Sequence, residues 1–183
     1  METLQQLANE YLKNFDAGQK AMAASPKSLE YCVGLLEKFR PATVLDAGSG
    51  LSSLVFHAVH EKVTTIDDNG HWSEKTVGII QSRLNKTIGI TPLNDDIFAQ
   101  RFDFTFYDYG DIETRIYCFK TILALTNDLI YLDDFHVGFY RDYIYSRAKR
   151  FTIIDLEEAT KDEFGRYGAV LIKNPALKAA FGL

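Results

Sequence analysis

Gly48-Ser49-Gly50 stands where an apolar run gives way to helical spacing, in the stretch TVLDAGSGLSSL from Thr43 to Leu54. Two glycines around one small residue permit positive φ and remove the Cβ atoms that hold a ligand off the backbone. Asp46 precedes the first glycine by two residues, and Asp67 follows about 20 residues later, at the end of the next apolar run. A carboxylate at that later position can accept hydrogen bonds from both hydroxyls of a ribose. Loop and acid together predict a nucleoside-containing ligand. The dinucleotide fingerprint G-x-G-x-x-G needs a third glycine; here Leu51, Ser52 and Ser53 follow instead. Asp46 would sit badly beside a pyrophosphate and suits a cationic ligand. A second set of acid–base groups, Asp108, Asp133, Asp134 and His136, follows two later apolar runs.

The elements that must position these groups follow from periodicity. Leu4, Leu7, Ala8, Tyr11, Leu12 and Phe15 form one helical stripe, which reads as a helix packed on the domain or as a lid or dimer contact. Ser25-Pro26 starts the next helix, KSLEYCVGLLEKF, which stops before Pro41. Strands are predicted at TVLDA, KVTTID, KTIGITPL, FDFTFYD and DLIYLDD. Between and after them come helices from about Ser52 to His60 and at HWSEKTVGIIQSRL, IETRIYCFKTILAL and VGFYRDYIYSRAK, with DDIFAQR as a connector or short helix. Such alternation predicts an α/β fold: a doubly wound, mostly parallel seven-stranded sheet with helices on both faces. The last two strands, RFTIIDL and AVLIKNP, have only the turn-rich EEATKDEFGRYG between them. No helix fits there, so the C-terminal strand is expected to run antiparallel, as a hairpin. Residues 1–183 read as one domain, with 1–24 a helical extension and 25–183 the core.

Composition narrows the partners. The net charge of -5 disfavours non-specific binding to nucleic acid or anionic lipid. The basic run SRAKR at Ser146–Arg150 reads as a solvated helix end. Cys32 and Cys118 lie far apart, each in an apolar run; they form neither a disulfide framework nor a zinc site and read as small buried hydrophobes. No apolar run reaches the roughly 20 residues of a membrane span. The start, METLQQLANEYLKNF, lacks the basic and apolar regions of a signal peptide. A cytoplasmic protein is expected.

VLDAGSGLSSL resembles motif I of the class I S-adenosylmethionine (SAM)-dependent methyltransferases, hydrophobic-hydrophobic-(D/E)-x-G-x-G. The resemblance runs from about Ser25 to Pro175 and takes in VTTIDDNGHW, LNDDIF, RFDFTFYDYG, DLIYLDD and the closing hairpin. It implies SAM as cofactor and methyl transfer, with a small molecule as acceptor. On it, Gly48, Ser49 and Gly50 would line the methionine and ribose, and Asp46 would act near the amino group through water or backbone. Asp67 would take the ribose hydroxyls. Asp96, or else Asp95, would receive the adenine amine, unless these acids cap the helix in NDDIF. Trp72 would face the adenine or belong to the core. The Asn/Asp-Pro-Pro-aromatic stretch of amino-group methyltransferases is replaced by YDYG, which argues against amino-group methylation of DNA; O-methylation of a small molecule is the expected activity.

Direct displacement from a sulfonium needs alignment, and a base if the nucleophile carries a proton. Three arrangements of the second acid–base set stay open. Asp108, Asp133 and Asp134 resemble the magnesium site of catechol-type O-methyltransferases, although Asp134 stands where those enzymes carry Asn. Alternatively His136 is the general base, oriented by Asp108 or Asp133. Otherwise Asp133 or Asp134 caps the following helix and His136 lies on its surface. Phe139, Tyr140, Tyr143 and Tyr145, with Tyr107 and Tyr109, read as core or as walls of a pocket for a flat small molecule. The missing substrate-cap insertion leaves the site open, or completed by the N-terminal helices or a second subunit in a homodimer. The rival functions are a nicotinamide-dependent (NAD(P)) oxidoreductase on a Rossmann fold and a non-catalytic SAM-binding module.

Overall fold

The computed structural model describes residues 4–13 and 23–183; Phe15 of the first stripe lies outside them. Seven strands form one sheet: β1 (Val44–Ala47), β2 (Val63–Ile66), β3 (Ile90–Thr91), β4 (Phe102–Tyr107), β5 (Thr126–Leu132), β6 (Thr152–Asp155) and β7 (Ala169–Ile172). Their order is β3-β2-β1-β4-β5-β7-β6. Pairings from β3 to β5 are parallel, and β7 runs antiparallel between β5 and β6. The mostly parallel sheet with a reversed C-terminal strand matches the sequence expectation.

Helices cover both faces because the central strands are apolar on both. Successive side chains of a strand point to opposite faces. Phe104, Phe106, Leu129, Tyr131 and Val170 therefore join one cluster with α1 (Leu4–Leu12), α2 (Pro26–Phe39) and α3 (Leu51–Val59). Leu45, Ala47, Tyr107, Ile130, Leu132 and Leu171 join the other with α6 (Ile112–Leu125) and α7 (Gly138–Arg147). On the first face Phe106 stacks on Tyr131 with ring centroids 5.3 Å apart, and Phe56 meets Phe106 edge-on. α1 packs onto the domain, burying Leu7, Ala8 and Tyr11 in the first cluster.

Three expectations are revised. The third strand shrinks to Ile90–Thr91, at the sheet edge and ended by Pro92, which has no N–H for a ladder. The stretch between β6 and β7 holds one helical turn, α8 (Glu157–Thr160); the loop after it turns on Asp162, whose Oδ1 accepts from the Phe164 and Arg166 amides. Cys32 is buried as expected, but Cys118 is only half-buried. No helix among the described residues is long and apolar enough to cross a membrane.

Candidate active site

The register of three strands assembles the site. Ala47 of β1 pairs with Tyr107 of β4, and Tyr107 with Leu132 of β5. The residues that follow are therefore neighbours across the carboxyl end of the sheet: Gly48, Asp108 and Asp133. The Asp108 amide donates to the Ala47 carbonyl (2.7 Å) and the Asp133 amide to the Tyr107 carbonyl (3.1 Å). The chain order reverses between β1 and β4, the switch point where open α/β sheets bind ligands.

Gly48 has φ +110°, and a methyl group on it would run into the Asp108 carbonyl. The loop is fixed from two sides. Asp67 accepts the Ser49 amide on one carboxylate oxygen (2.6 Å) and the Asn69 amide on the other (2.7 Å). That orients the carboxylate and leaves each oxygen a lone pair for a further donor. Asp46 points the other way, into the contact between sheet and α3. Its Oδ2 accepts from Ser53 Oγ (2.5 Å) and Thr65 Oγ1 (3.2 Å), and Ser53 Oγ in turn accepts the Gly50 amide (3.1 Å). His57 Nε2 lies 3.1 Å from Thr65 Oγ1. Burial raises the Asp46 carboxyl to about 7, against the hydrogen bonds from Ser53, Ser52 and Thr65. Burial also lowers the His57 imidazole to about 4, with Lys86 adding to the shift.

An open cleft of about 400 Å³ runs along this edge, lined by Gly48, Ser49, Asp67, Asp68, Asn69 and Trp72 on one side. Asp108, Gly110, Asp111, Thr114 and Arg115 line the other. Trp72 opens α4 (Gly70–Leu84), whose cap is Asn69 accepting the Trp72 amide; it both packs on the core and walls the cleft. Tyr11 and Trp72 are the side chains nearest to Gly50. Asp96 is not among the residues that line this cleft. It is exposed on the one-turn helix α5 (Asp95–Phe98), and the cap of that turn is Asn94, not Asp95 or Asp96.

At the far end of the cleft Asp108, Asp133 and Asp134 place carboxylate oxygens within 4.8 Å of one another. A residue the sequence reading passed over joins them. The Arg115 guanidinium pairs with Asp108 through Nη2 and with Asp134 through Nη1 (2.9 Å), and Nη2 also donates to the Gly110 carbonyl (3.2 Å). Arg115 is only 6% exposed. The sequence carries its signal: Arg115, Phe119 and Ile122 share the buried stripe of α6, and a charge on an apolar stripe needs a buried partner. Burial pushes the Asp108 carboxyl well up; Arg115 pulls it down, and Asp133 and Asp134 add to the rise. Asp133 rises to about 7, through burial first and Asp134 next.

His136 Nδ1 lies 3.6 Å from Asp134 Oδ1, so the acid nearest it is Asp134 rather than Asp108 or Asp133. Neither Asp133 nor Asp134 caps α7: the cap position is Val137, and no side chain bonds there. Asp134 instead has φ +53° in the turn that separates β5 from α7. The aromatic set divides, with Tyr107, Tyr109 and Tyr140 buried, Tyr143 half-buried, and Phe139 and Tyr145 exposed.

The three carboxylates are oxygen donors suited to a hard cation. With the guanidinium already against two of them, the set as arranged does not fit a resident divalent ion.

No family model and no curated protein matches the sequence. Solved structures do match, over nearly the whole chain. An O-methyltransferase from Bacillus cereus in complex with S-adenosylhomocysteine (SAH) is 18% identical, with a TM-score of 0.68 over 93% of this chain and 90% of that one. The O-methyltransferase TomG from Streptomyces achromogenes, in complex with SAM, is 17% identical, with a TM-score of 0.68 over 95% and 91%. The SAH-bound methyltransferase PaMTH1 from Podospora anserina is 13% identical, with a TM-score of 0.69 over 93% and 88%. The chain is folded as the class I SAM-dependent methyltransferases are.

Proposed function

We propose that this protein is a SAM-dependent methyltransferase that methylates a hydroxyl oxygen of a small molecule. The observation that carries the reading is the charge of the cleft. Four carboxylates, Asp67, Asp68, Asp108 and Asp111, line it against one guanidinium. Such a wall attracts a sulfonium and an ammonium and repels a pyrophosphate. The Ser49 amide, moreover, is already donated to Asp67, which speaks against a dinucleotide on this loop and so against the oxidoreductase. The SAM and SAH complexes of the similar folds support the cofactor, and the O-methyltransferases among them support oxygen as the methylated atom.

SAM, when bound, supplies an electrophilic methyl carbon on a sulfonium sulfur. The chain's part is to hold and align. Asp67 offers a lone pair on each oxygen to the ribose hydroxyls, and the glycine loop admits a ligand against its backbone. Asp46 acts beneath, holding the loop through Ser53 rather than touching the ligand. The hydroxyl proton of the acceptor passes to Asp133 or to His136, both at the β5 end of the site. Magnesium, which the resemblance brought with it, has no part in this reading because of Arg115. Asp96, exposed on α5 with the cap taken by Asn94, is left free to receive the adenine amine. A cytoplasmic location and a second subunit over the open side of the cleft belong to the proposal, the former resting on the two free cysteines.

Calorimetry with SAM, SAH and NADH tests the cofactor. Binding of SAM and SAH without NADH is expected; tight NADH binding without SAM would overturn the reading. Transfer of labelled methyl groups to a panel of hydroxylated small molecules then tests the reaction, with no transfer to any acceptor favouring the non-catalytic module. Asp133→Asn and His136→Ala in single turnover tell the two bases apart.

A further inference from the structure

The buried guanidinium in the carboxylate cluster has no place in the reaction as described so far. We propose that Arg115 is the resident cation of the Asp108–Asp133–Asp134 cluster and excludes a divalent metal from it, so that methyl transfer in this protein is metal-independent. The inference rests on the methyl-transfer reading only for its last clause; the occupancy of the cluster stands apart from it.

Geometry argues first. Arg115 meets Asp108 and Asp134 through separate nitrogens, the forked pairing that a planar guanidinium makes and an ammonium does not. A divalent ion ligated by the same Asp134 oxygen at about 2.1 Å would lie within about 5 Å of Nη1, with like charges facing each other in a buried site. Either the ion or the guanidinium occupies the cluster.

The arginine is also tethered. The Tyr107 hydroxyl donates to the Arg115 carbonyl (2.6 Å), and the Arg115 amide donates to the Asp111 carbonyl (2.9 Å). α6 begins at this point, capped by Asp111, which accepts the Thr114 amide (2.8 Å). The guanidinium is therefore delivered by the first turn of a helix whose backbone is fixed at both its cap and its Tyr107 contact. Swinging it out would break two ion pairs and move a side chain that is almost fully buried. Asp134 supplies the second anchor; an amide at that position would leave Arg115 with one carboxylate.

The test is a Mn2+ titration of the full chain followed by electron paramagnetic resonance, which reads metal binding whether or not methyl transfer is ever detected. The wild type is expected to bind no Mn2+ at the cluster at millimolar concentration. Arg115→Met, neutral and of similar length, is expected to bind at least about tenfold more tightly than wild type, and Arg115→Met/Asp108→Asn to lose that gain. Arg115→Lys keeps the charge but loses the fork, and should bind Mn2+ more weakly than Arg115→Met and more tightly than wild type. Mn2+ binding by the wild type that Asp108→Asn removes would overturn the proposal, as would a folded Arg115→Met variant that gains no binding. Should Arg115→Met fail to fold, the wild type and Asp108→Asn titrations decide alone. Failure of SAM binding in calorimetry would count against the methyl-transfer reading and leave the metal result untouched.

Discussion

Gly48 is the residue on which the loop turns, and its replacement has a calculable direction. Alanine there must adopt φ near +110° and place a methyl group on the Asp108 carbonyl. Gly48→Ala is expected to cost about 2–4 kcal/mol, read as a lowered denaturation midpoint, and to abolish SAM binding in calorimetry. Asp46 predicts a pH dependence. Its carboxyl stands at about 7 in the fold and near 3.9 in the unfolded chain. Between those values the native state keeps a proton that the unfolded state has lost, so this group's contribution to stability falls as pH rises from about 4 to about 7 and is level above. The full span corresponds to on the order of 4 kcal/mol. Asp46→Asn removes the titration while leaving an acceptor for Ser53. Urea unfolding at pH 5 and pH 8 should thus show a smaller loss with pH in the variant; equal losses in both proteins would refute the assignment to Asp46. Asp108 titrates in the same direction in both proteins, and since Asp46 adds to its rise, the variant's smaller loss includes a relaxation of Asp108.

Among the elements, α1 is the one that carries the first segment of the chain onto the site. It lays Tyr11 beside Gly50, next to Trp72, so its packing and the loop's shape are linked. Tyr11→Ala removes a buried ring and is expected to destabilise by about 3–5 kcal/mol, with Tyr11→Phe recovering most of the loss; denaturant unfolding checks both. The elements were the most legible part of the sequence. IETRIYCFKTILAL became α6 without a residue's change, because its apolar residues repeat at helical spacing and Asp111 caps it. The placing of the glycine loop and Asp67 at two strand ends was legible for a similar reason, since each follows directly on its own apolar run. What escaped depends on distance in sequence. Nothing near Arg115 says that Asp134 waits 19 residues later to pair with it. Adjacent acids such as Asp95 and Asp96 cannot be assigned a direction without knowing that Asn94 takes the cap. The partner of His136 turned on Asp134 adopting a left-handed φ, a conformation chosen by the β5–α7 turn as a whole.

For the whole molecule the relevant quantity is charge. The protein carries a formal -5, and its cleft concentrates acid around one guanidinium. Attraction to a sulfonium should weaken as salt shortens the screening length from about 10 Å at 0.1 M to about 3 Å at 1 M. SAM affinity is therefore expected to fall several-fold across that range, and SAH affinity to fall less, since SAH lacks the sulfonium charge. Equal salt slopes for the two ligands in calorimetry would mean that the cleft field does not select the methyl donor.

β7 closes the chain's sheet from the inside. It follows the other six strands of the sheet in the chain, yet it lies between β5 and β6 and pairs with both. During synthesis on a ribosome, every earlier strand can emerge while β5 still presents an unpaired, apolar edge, with Leu129–Leu132 waiting for Ala169–Ile172. An open edge of this kind invites pairing with another chain. The topology thus makes the interval between synthesis of β5 and synthesis of β7 one of raised aggregation risk, and a chain stopped before Ala169 would keep that edge open.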